Sequence, residues 1–562
     1  MFLLFSALLV SLTHSCSDLI VGKTASATGH PMFSYAADSR SLYGDLHFSP
    51  AAKHDPTVDK RKIYEWDTGL YLGEIDEVAE TYNVVGNMNE FSLAIGESTW
   101  GTQRGGTFFE KDEDKLGKID YGSLIYVALE RSRNCAEAIE CITHLASTMG
   151  YASEGESFSI ADPNEVWILE LVGKADLERE PDDDELVAWV AMKIPDDCIS
   201  GHANQARINK IILNDETQCK YGKHTISFAR KHNWFDSQND EEFDFAKAYG
   251  PVNFSGARHC DARVWSFFKK MQIPGMDDFA DYVKGDHTKQ RMELYYKLPE
   301  GMKVSVEDIE EAMGNHFEGT ILDMTETFDV GGGAWSCPYR IPPLSWEVEG
   351  KTYCNERPIG TQQTAWSFIA ECREVNENNP LGGLFWFGTD DAATSVHIPF
   401  YTSVKKLPQC LFDNSVDLNH FSYHSMFWVS NLVANFAYTN YKKMKPEIDE
   451  KRRDYHNYFL EEVKAADEEI SRIARDESID AAIDYANALN NEWAEMLCSE
   501  WYGLWIDQFM RYKDFAMLTP ISEKRDPLVE DMHYPKTWLD LIAKHTGTHY
   551  LLNQPANDKK SQ

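Results

Sequence analysis

Cys16 is the residue in this chain whose type and position most directly suggest chemistry. Residues 1–12 are almost wholly apolar, and Thr13, His14 and Ser15 then lead into Cys16. An apolar run this short, closed by small residues, reads as a signal peptide over 1–15 rather than as a membrane span. Cleavage after Ser15 would leave a thiol and a free α-amine on the same residue. The thiolate is the nucleophile of cysteine chemistry, and an ordinary thiol is mostly protonated at neutral pH. An α-amine, with a reference pKa of about 8, can take the thiol proton and later return it to a leaving amine. Nucleophile and base then need no histidine. The competing reading is an early cysteine of a secreted protein, destined for a disulfide. Ten cysteines remain beside Cys16, an even number that permits up to five disulfides whose connectivity the sequence does not give.

Several elements must position such a residue. Cys16–Val21 and Met32–Asp38 are β-rich, and Gly29-His30-Pro31 between them is a turn, which predicts a hairpin that starts at the nucleophile. Residues 53–80 read as loops and short elements. Two strands are expected over 83–97, around Asn87-Met88-Asn89-Glu90. Helical spacing over 121–149 ends at Gly150. Apolar runs at 166–172 and 186–194 predict two strands joined by a solvated acidic loop, and 360–370 and 382–388 read as further buried strands. The stretch after Asn204 reads as mostly helical and polar, and Asp329–Gly333 as a turn, since it lacks the Lys-Ser/Thr of a phosphate loop. After Pro399 the texture changes. Phe459, Val463, Ala466, Ile470 and Ile473 fall at helical spacing on a charged background, and Trp493, Leu497, Trp501, Leu504 and Trp505 continue it. This stripe reads as packing against the sheets rather than as a cofactor box.

The opening Cys16-Ser-Asp-Leu-Ile-Val-Gly-Lys and the second strand ending in Asp38-Ser39 resemble the dipeptidase family of N-terminal-nucleophile (Ntn) cysteine hydrolases, which includes the secernins. Further blocks are similar to that family in order and spacing up to about Tyr401: 82–90, 119–124, 153–167, 194–197 and His202-Ala-Asn-Gln-Ala-Arg-Ile208. The resemblance implies an α+β fold, the αββα four-layer sandwich, over 16–401. A mostly helical region (402–552) and a disordered polar tail (553–562) would follow. It implies hydrolysis of dipeptides through an acyl-enzyme on Cys16, with no metal and no organic cofactor. Asn204 matches the family asparagine whose amide donates to the oxyanion, and Asp38 matches the acid that positions the nucleophile. Arg263 looks like the distal arginine of the wider choloylglycine-hydrolase-like group, with Arg258 close by. Many members carry an arginine a few positions before the aspartate that matches Asp38. Here Ser34-Tyr35-Ala36-Ala37 stands there, so this segment supplies no guanidinium beside the thiol. Asn89, Glu90 and Glu154 are either substrate contacts or strand-end and loop residues.

Composition narrows the remaining options. The chain has 562 residues, 43% apolar and 12% aromatic, as a folded protein has. Its formal net charge of −37 opposes binding to nucleic acid or to anionic membranes. It fits a secreted protein or one in the lumen of a secretory or lysosome-like compartment. Dipeptides are the expected partners, and a homo-oligomer is compatible with the reading. No Cys-x-x-Cys or His-Glu-x-x-His motif suggests a metal. The rival readings are an N-acyl amide hydrolase built on the same cysteine and a non-catalytic, secernin-like interaction protein. A bacterial lipoprotein would also use Cys16, but Thr13-His14-Ser15 is a poor lipobox.

Overall fold

The computed structural model describes residues 15–552, apart from 104–116, 175–176, 326–331, 343, 520 and 522–525. The expected signal peptide apart from Ser15, and the polar tail, therefore lie outside the described residues, as does most of Asp329–Gly333.

Two antiparallel sheets form the body. The first has seven strands in the order Tyr295–Lys297, Cys198–His202, Ser15–Val21, Met32–Asp38, Thr364–Glu371, Leu384–Thr389 and Ile398–Tyr401. The expected hairpin is present, with Cys16 opposite Ala37 and Ser15 opposite Asp38. Met32–Asp38 is buried along its whole length, because it sits mid-sheet with neighbours on both sides. The second sheet has eight strands in the order Cys219–Tyr221, Val187–Ile194, Val166–Gly173, Gly155–Ala161, Ala94–Trp100, Met88–Asn89, Val84–Val85 and Phe48–Ser49.

Side-chain alternation fixes which face of the second sheet looks where. Val166, Ile168 and Val172 join a core shared with the first sheet, whereas Trp167, Leu169 and Leu171 join one shared with the helices Tyr121–Arg131 and Cys135–Met149. Val187–Ile194 divides in the same way. The two sheets thus face one another, closely enough that a Cβ on Gly96 would come within 2.6 Å of Asp18 Oδ1 and 2.8 Å of the Phe33 ring. The helices Ala262–Lys270, Val306–Met313 and Met426–Ala437 pack against strands of the first sheet.

The long helical signal over 121–149 is divided in the structure. Arg131 ends one helix, Ser132 is extended, and Asn134 starts the next by accepting a hydrogen bond from the Glu137 N–H. Gly150 then takes φ +77°, the left-handed region that glycine enters without steric cost. The acidic loop after Gly173 is only partly solvated. Asp183 is buried and pairs with the equally buried Lys174 at 2.7 Å, because a charge in such a place requires a partner.

The C-terminal helices Tyr441–Asp476 and Ile479–Arg511 bury the stripe that the spacing predicts: Phe459, Val463, Ala466, Ile470 and Ile473 on one, Trp493, Leu497 and Trp501 on the other. Leu504 and Trp505 are half-buried. Both helices pack on Ile398–Tyr401, and their buried residues continue the core of the first sheet. Among the described residues no helix is long and apolar enough to cross a membrane. All the cysteines are free thiols.

Candidate active site

Cys16 opens the first hairpin strand, and four chain-distant segments converge on it. Arg263 comes from the helix Ala262–Lys270 and spends all five of its N–H groups on this corner. Nη1 donates to Cys16 O and to Ser17 Oγ, both at 2.8 Å. Nη2 donates to Ala203 O (3.1 Å) and Asn204 Oδ1 (2.8 Å), and Nε donates to His259 O (2.9 Å). A planar guanidinium with five fixed donors holds several backbone groups at once. Arg258, the alternative at sequence level, is turned away and pairs with Glu356.

Asn204 follows the strand Cys198–His202 in a left-handed turn at φ +56°, a region that Asn enters more readily than most residues. Its Oδ1 accepts from Cys16 N at 3.2 Å, and its Nδ2 donates to Thr99 O at 2.7 Å. One Nδ2 hydrogen is thereby used, and a side-chain amide carries two.

Asp38 lies at the end of the second hairpin strand, across from Ser15. Oδ1 accepts from Thr364 Oγ1 at 2.6 Å, while Oδ2 is buried with no hydrogen-bond partner. Burial pushes this carboxyl up to about 7, against the pull of the Thr364 hydroxyl and of Arg263 and Arg357. Arg357 is buried near Asp38, Cys16 and Arg263. Burial, and then the Arg263 charge, lower it to about 10. It also lines a cavity of about 360 Å³ together with Ser39, Arg40, Tyr339, Arg340 and Gln363. A guanidinium therefore does stand near the thiol, supplied from position 357 rather than from the hairpin.

The thiol has its own neighbours. Sγ donates to Glu97 Oε1 at 3.3 Å and lies 3.7 Å from Tyr35 Oη, which itself donates to Glu97 Oε1 at 2.7 Å. Burial, followed by the Glu97 and Asp38 carboxyls, raises the thiol well above its ordinary range. With Ser15 still attached, Cys16 N is an amide and offers no base, so the thiol stays protonated.

All four expected residues, Cys16, Asp38, Asn204 and Arg263, thus meet in one place. Glu97, Tyr35 and Arg357 belong to the same place and carried no site signal in the sequence, since each stands alone in an ordinary strand or loop. Asn89 and Glu90 are structural. Asn89 Nδ2 donates to Leu129 O and Ser132 O, and Glu90 Oε1 accepts from Asn83 N.

Sequence comparison gives the arrangement relatives. The pattern described as peptidase family C69 matches residues 15–454. A "Probable dipeptidase" of Latilactobacillus sakei is 22% identical over 494 residues, covering 85% of this chain and 92% of that one. A "Probable dipeptidase A" of Streptococcus pyogenes serotype M3 (strain SSI-1) is 21% identical over 450 residues, covering 77% and 85%. A "Probable dipeptidase" of Salmonella dublin is 23% identical over 403 residues, covering 70% and 82%.

Proposed function

The chain belongs to peptidase family C69, and on that premise we propose that it is a cysteine dipeptidase whose nucleophile is Cys16 carrying a free α-amine. One observation carries the reading: the Cys16 thiol and nitrogen sit where Arg263, Asn204 and Asp38 converge. The family match begins at residue 15, one position before the nucleophile. Two facing antiparallel sheets, with helices packed on strands of each, support the αββα sandwich over 16–401, with 402–552 as a helical extension. The apolar leader supports a secretory route and a lumenal or extracellular setting.

Removal of Ser15 turns Cys16 N into an amine that takes the thiol proton. The thiolate attacks the scissile carbonyl carbon, and the negative charge moves to the carbonyl oxygen. The second Nδ2 hydrogen of Asn204 is the donor for that oxyanion. As the C–N bond breaks, the Cys16 ammonium protonates the leaving amino acid. Water then adds to the thioester, giving its proton to the amine, and releases the first amino acid and the thiol. Arg263, bonded to Cys16 O, fixes the nucleophile. Asp38, opposite Ser15 in the hairpin and with an unpartnered Oδ2, receives the new ammonium.

Expression from Met1 in a secretory host tests the proposal, with the amino terminus read by mass spectrometry and dipeptides assayed beside N-acyl amino acids. The expected result is a mature chain starting at Cys16 that cleaves dipeptides. An active chain with any other amino terminus, or cleavage of N-acyl amino acids alone, overturns it.

A further inference from the structure

Behind the Cys16 thiol lies a buried pair of carboxyls. Glu97 is 2% exposed and Glu156 is fully buried. They stand on neighbouring strands, Ala94–Trp100 and Gly155–Ala161, and are in hydrogen-bond contact with each other. Glu156 Oε2 is fixed by Thr99 Oγ1 at 2.9 Å and by Tyr151 Oη at 2.5 Å. Glu97 Oε1 is fixed by Tyr35 Oη and touches Cys16 Sγ at 3.3 Å. The other two oxygens, Glu97 Oε2 and Glu156 Oε1, are buried and draw no donor from elsewhere in the protein. Two carboxyls in contact hold one proton between them, since two adjacent buried negative charges are too costly. What surrounds Glu97 is a phenol, a thiol, the second carboxyl and the Asp67 carboxylate, with no cation among these groups. Among the described residues no cation forms an ion pair or hydrogen bond with either carboxyl, and the pair is set directly against the thiol that attacks the substrate.

We propose that Glu97, backed by Glu156, binds the α-ammonium of the substrate's first residue. The inference rests on the dipeptidase reading and supplies its end-recognition. In the adduct on Sγ the carbonyl carbon is bonded to sulfur and the α-nitrogen lies two bonds further on, about 3–4 Å from sulfur by ordinary bond lengths. Glu97 Oε1 also stands 3.3 Å from Sγ, so an adduct whose C–Cα torsion turns the nitrogen to the Glu97 side brings the two within salt-bridge reach. An ammonium arriving there pairs with the single negative charge that the two carboxyls carry while they share their proton. An N-acylated substrate brings an amide in place of the cation and leaves the acid pair unmatched, a defect that binding energy elsewhere does not repair.

The test compares a free dipeptide with its N-acetyl derivative, using protein whose amino terminus is verified as Cys16. The wild type should prefer the free amine by at least about 100-fold in kcat/KM. Glu97→Gln should raise KM for the free dipeptide by about tenfold or more with a smaller change in kcat. The ratio of kcat/KM for the two substrates should fall toward one, whatever the common change in turnover from the thiol's altered contact, and Glu97→Asp should restore part of the preference. Should Glu97→Gln fail to fold, Cys16→Ala with Glu97 intact provides the second measurement. Calorimetry should then show the free dipeptide binding at least about tenfold more tightly than the N-acetyl form. An unchanged preference in folded Glu97→Gln, or equal affinities in Cys16→Ala, overturns the inference and leaves the dipeptidase reading standing. A wild type that cleaves neither compound overturns the dipeptidase reading itself.

Discussion

Two buried polar clusters share the strand Ser15–Val21, two residues apart, and only one of them is arranged to react. Around Cys16 the thiol meets a carboxyl, a phenol and, through its backbone, a guanidinium and an amide, and valences remain open at Asp38 Oδ2 and Glu97 Oε2. Beside Asp18 stands His202, whose own hydrogen-bond partners are Ser98 and Ser159. On paper that second group has the residue types of an acid–base–nucleophile relay. Its geometry is different. His202 Nδ1 and Nε2 are taken by Ser98 Oγ (2.6 Å) and Ser159 Oγ (2.8 Å), and Asp18 Oδ1 stands 3.8 Å from the ring, beyond hydrogen-bond reach. Burial drives His202 down to about 3, so it is neutral, and burial together with Glu97 drives Asp18 up, favouring its protonated form. The second cluster is sealed between the sheets, where burial favours the neutral form of both Asp18 and His202. Asp18 Oδ1 and Oδ2 are also buried without a hydrogen-bond partner, so what separates the clusters is a thiol whose backbone is held by a guanidinium and an amide, against a neutral imidazole with both nitrogens occupied.

The largest effect should come from the nucleophile. In the mature protein Cys16→Ala should abolish turnover. Cys16→Ser should leave only weak activity, because a hydroxyl is the poorer nucleophile at the same pH. One extra residue before Cys16 should be nearly as damaging, since it removes the base and leaves the thiol in place. Full dipeptidase activity in a folded protein extended by one residue would refute the N-terminal-nucleophile reading.

Next in size is Asn204→Ala, expected to lower kcat by about 100- to 1,000-fold, as for other single oxyanion donors. Asn204 also accepts from Cys16 N and Arg263, so the amino-terminal strand must be shown to keep its place, for example by unchanged near-UV circular dichroism. Near-normal kcat in such a variant removes Asn204 from the chemistry.

The contrast also explains what the sequence could convey. The hairpin, the strands at 166–173 and 187–194 and the helical stripe at 459–473 were legible because burial imposes a period of two or of 3.6 on apolar residues. Cys16, Asp38, Asn204 and Arg263 stand in motif blocks, and the fold brings these four together. Glu97, Tyr35 and Arg357 were not legible as site residues. Glu97 reaches the thiol from position 97 and Arg357 from position 357, so only the tertiary fold creates their meaning. The break at Ser132–Asn134 was missed because both flanking segments keep helical spacing, and a single capping asparagine decides the boundary.

A third prediction separates the clusters by stability. His202→Ala leaves two buried serine hydroxyls without partners, each costing about 1–3 kcal/mol. The protein should therefore unfold at distinctly lower denaturant, while kcat per folded molecule changes far less than in Asn204→Ala. A loss of turnover as large as that of Asn204→Ala, with stability intact, would make the second cluster catalytic and dissolve the comparison.

The smallest effect on turnover belongs to Asp18→Asn. A buried Asp whose folded pKa lies well above its unfolded value of about 3.9 keeps a proton in the folded state that the unfolded chain gives up. Its contribution is most favourable to folding below the unfolded value and declines as pH rises from there toward the folded value. While the two states differ by one proton, the decline is about 1.4 kcal/mol per pH unit. Asparagine mimics the protonated acid in shape and polarity and does not titrate. Asp18→Asn should therefore be close to wild type in stability near pH 4 and gain on it steadily toward pH 7, with dipeptide turnover little changed at either. Denaturant midpoints of the two proteins across that range provide the measurement. A stability difference that stays constant with pH, or that moves against the variant as pH rises, would show that Asp18 is ionised in the folded protein and that the second cluster carries charge after all.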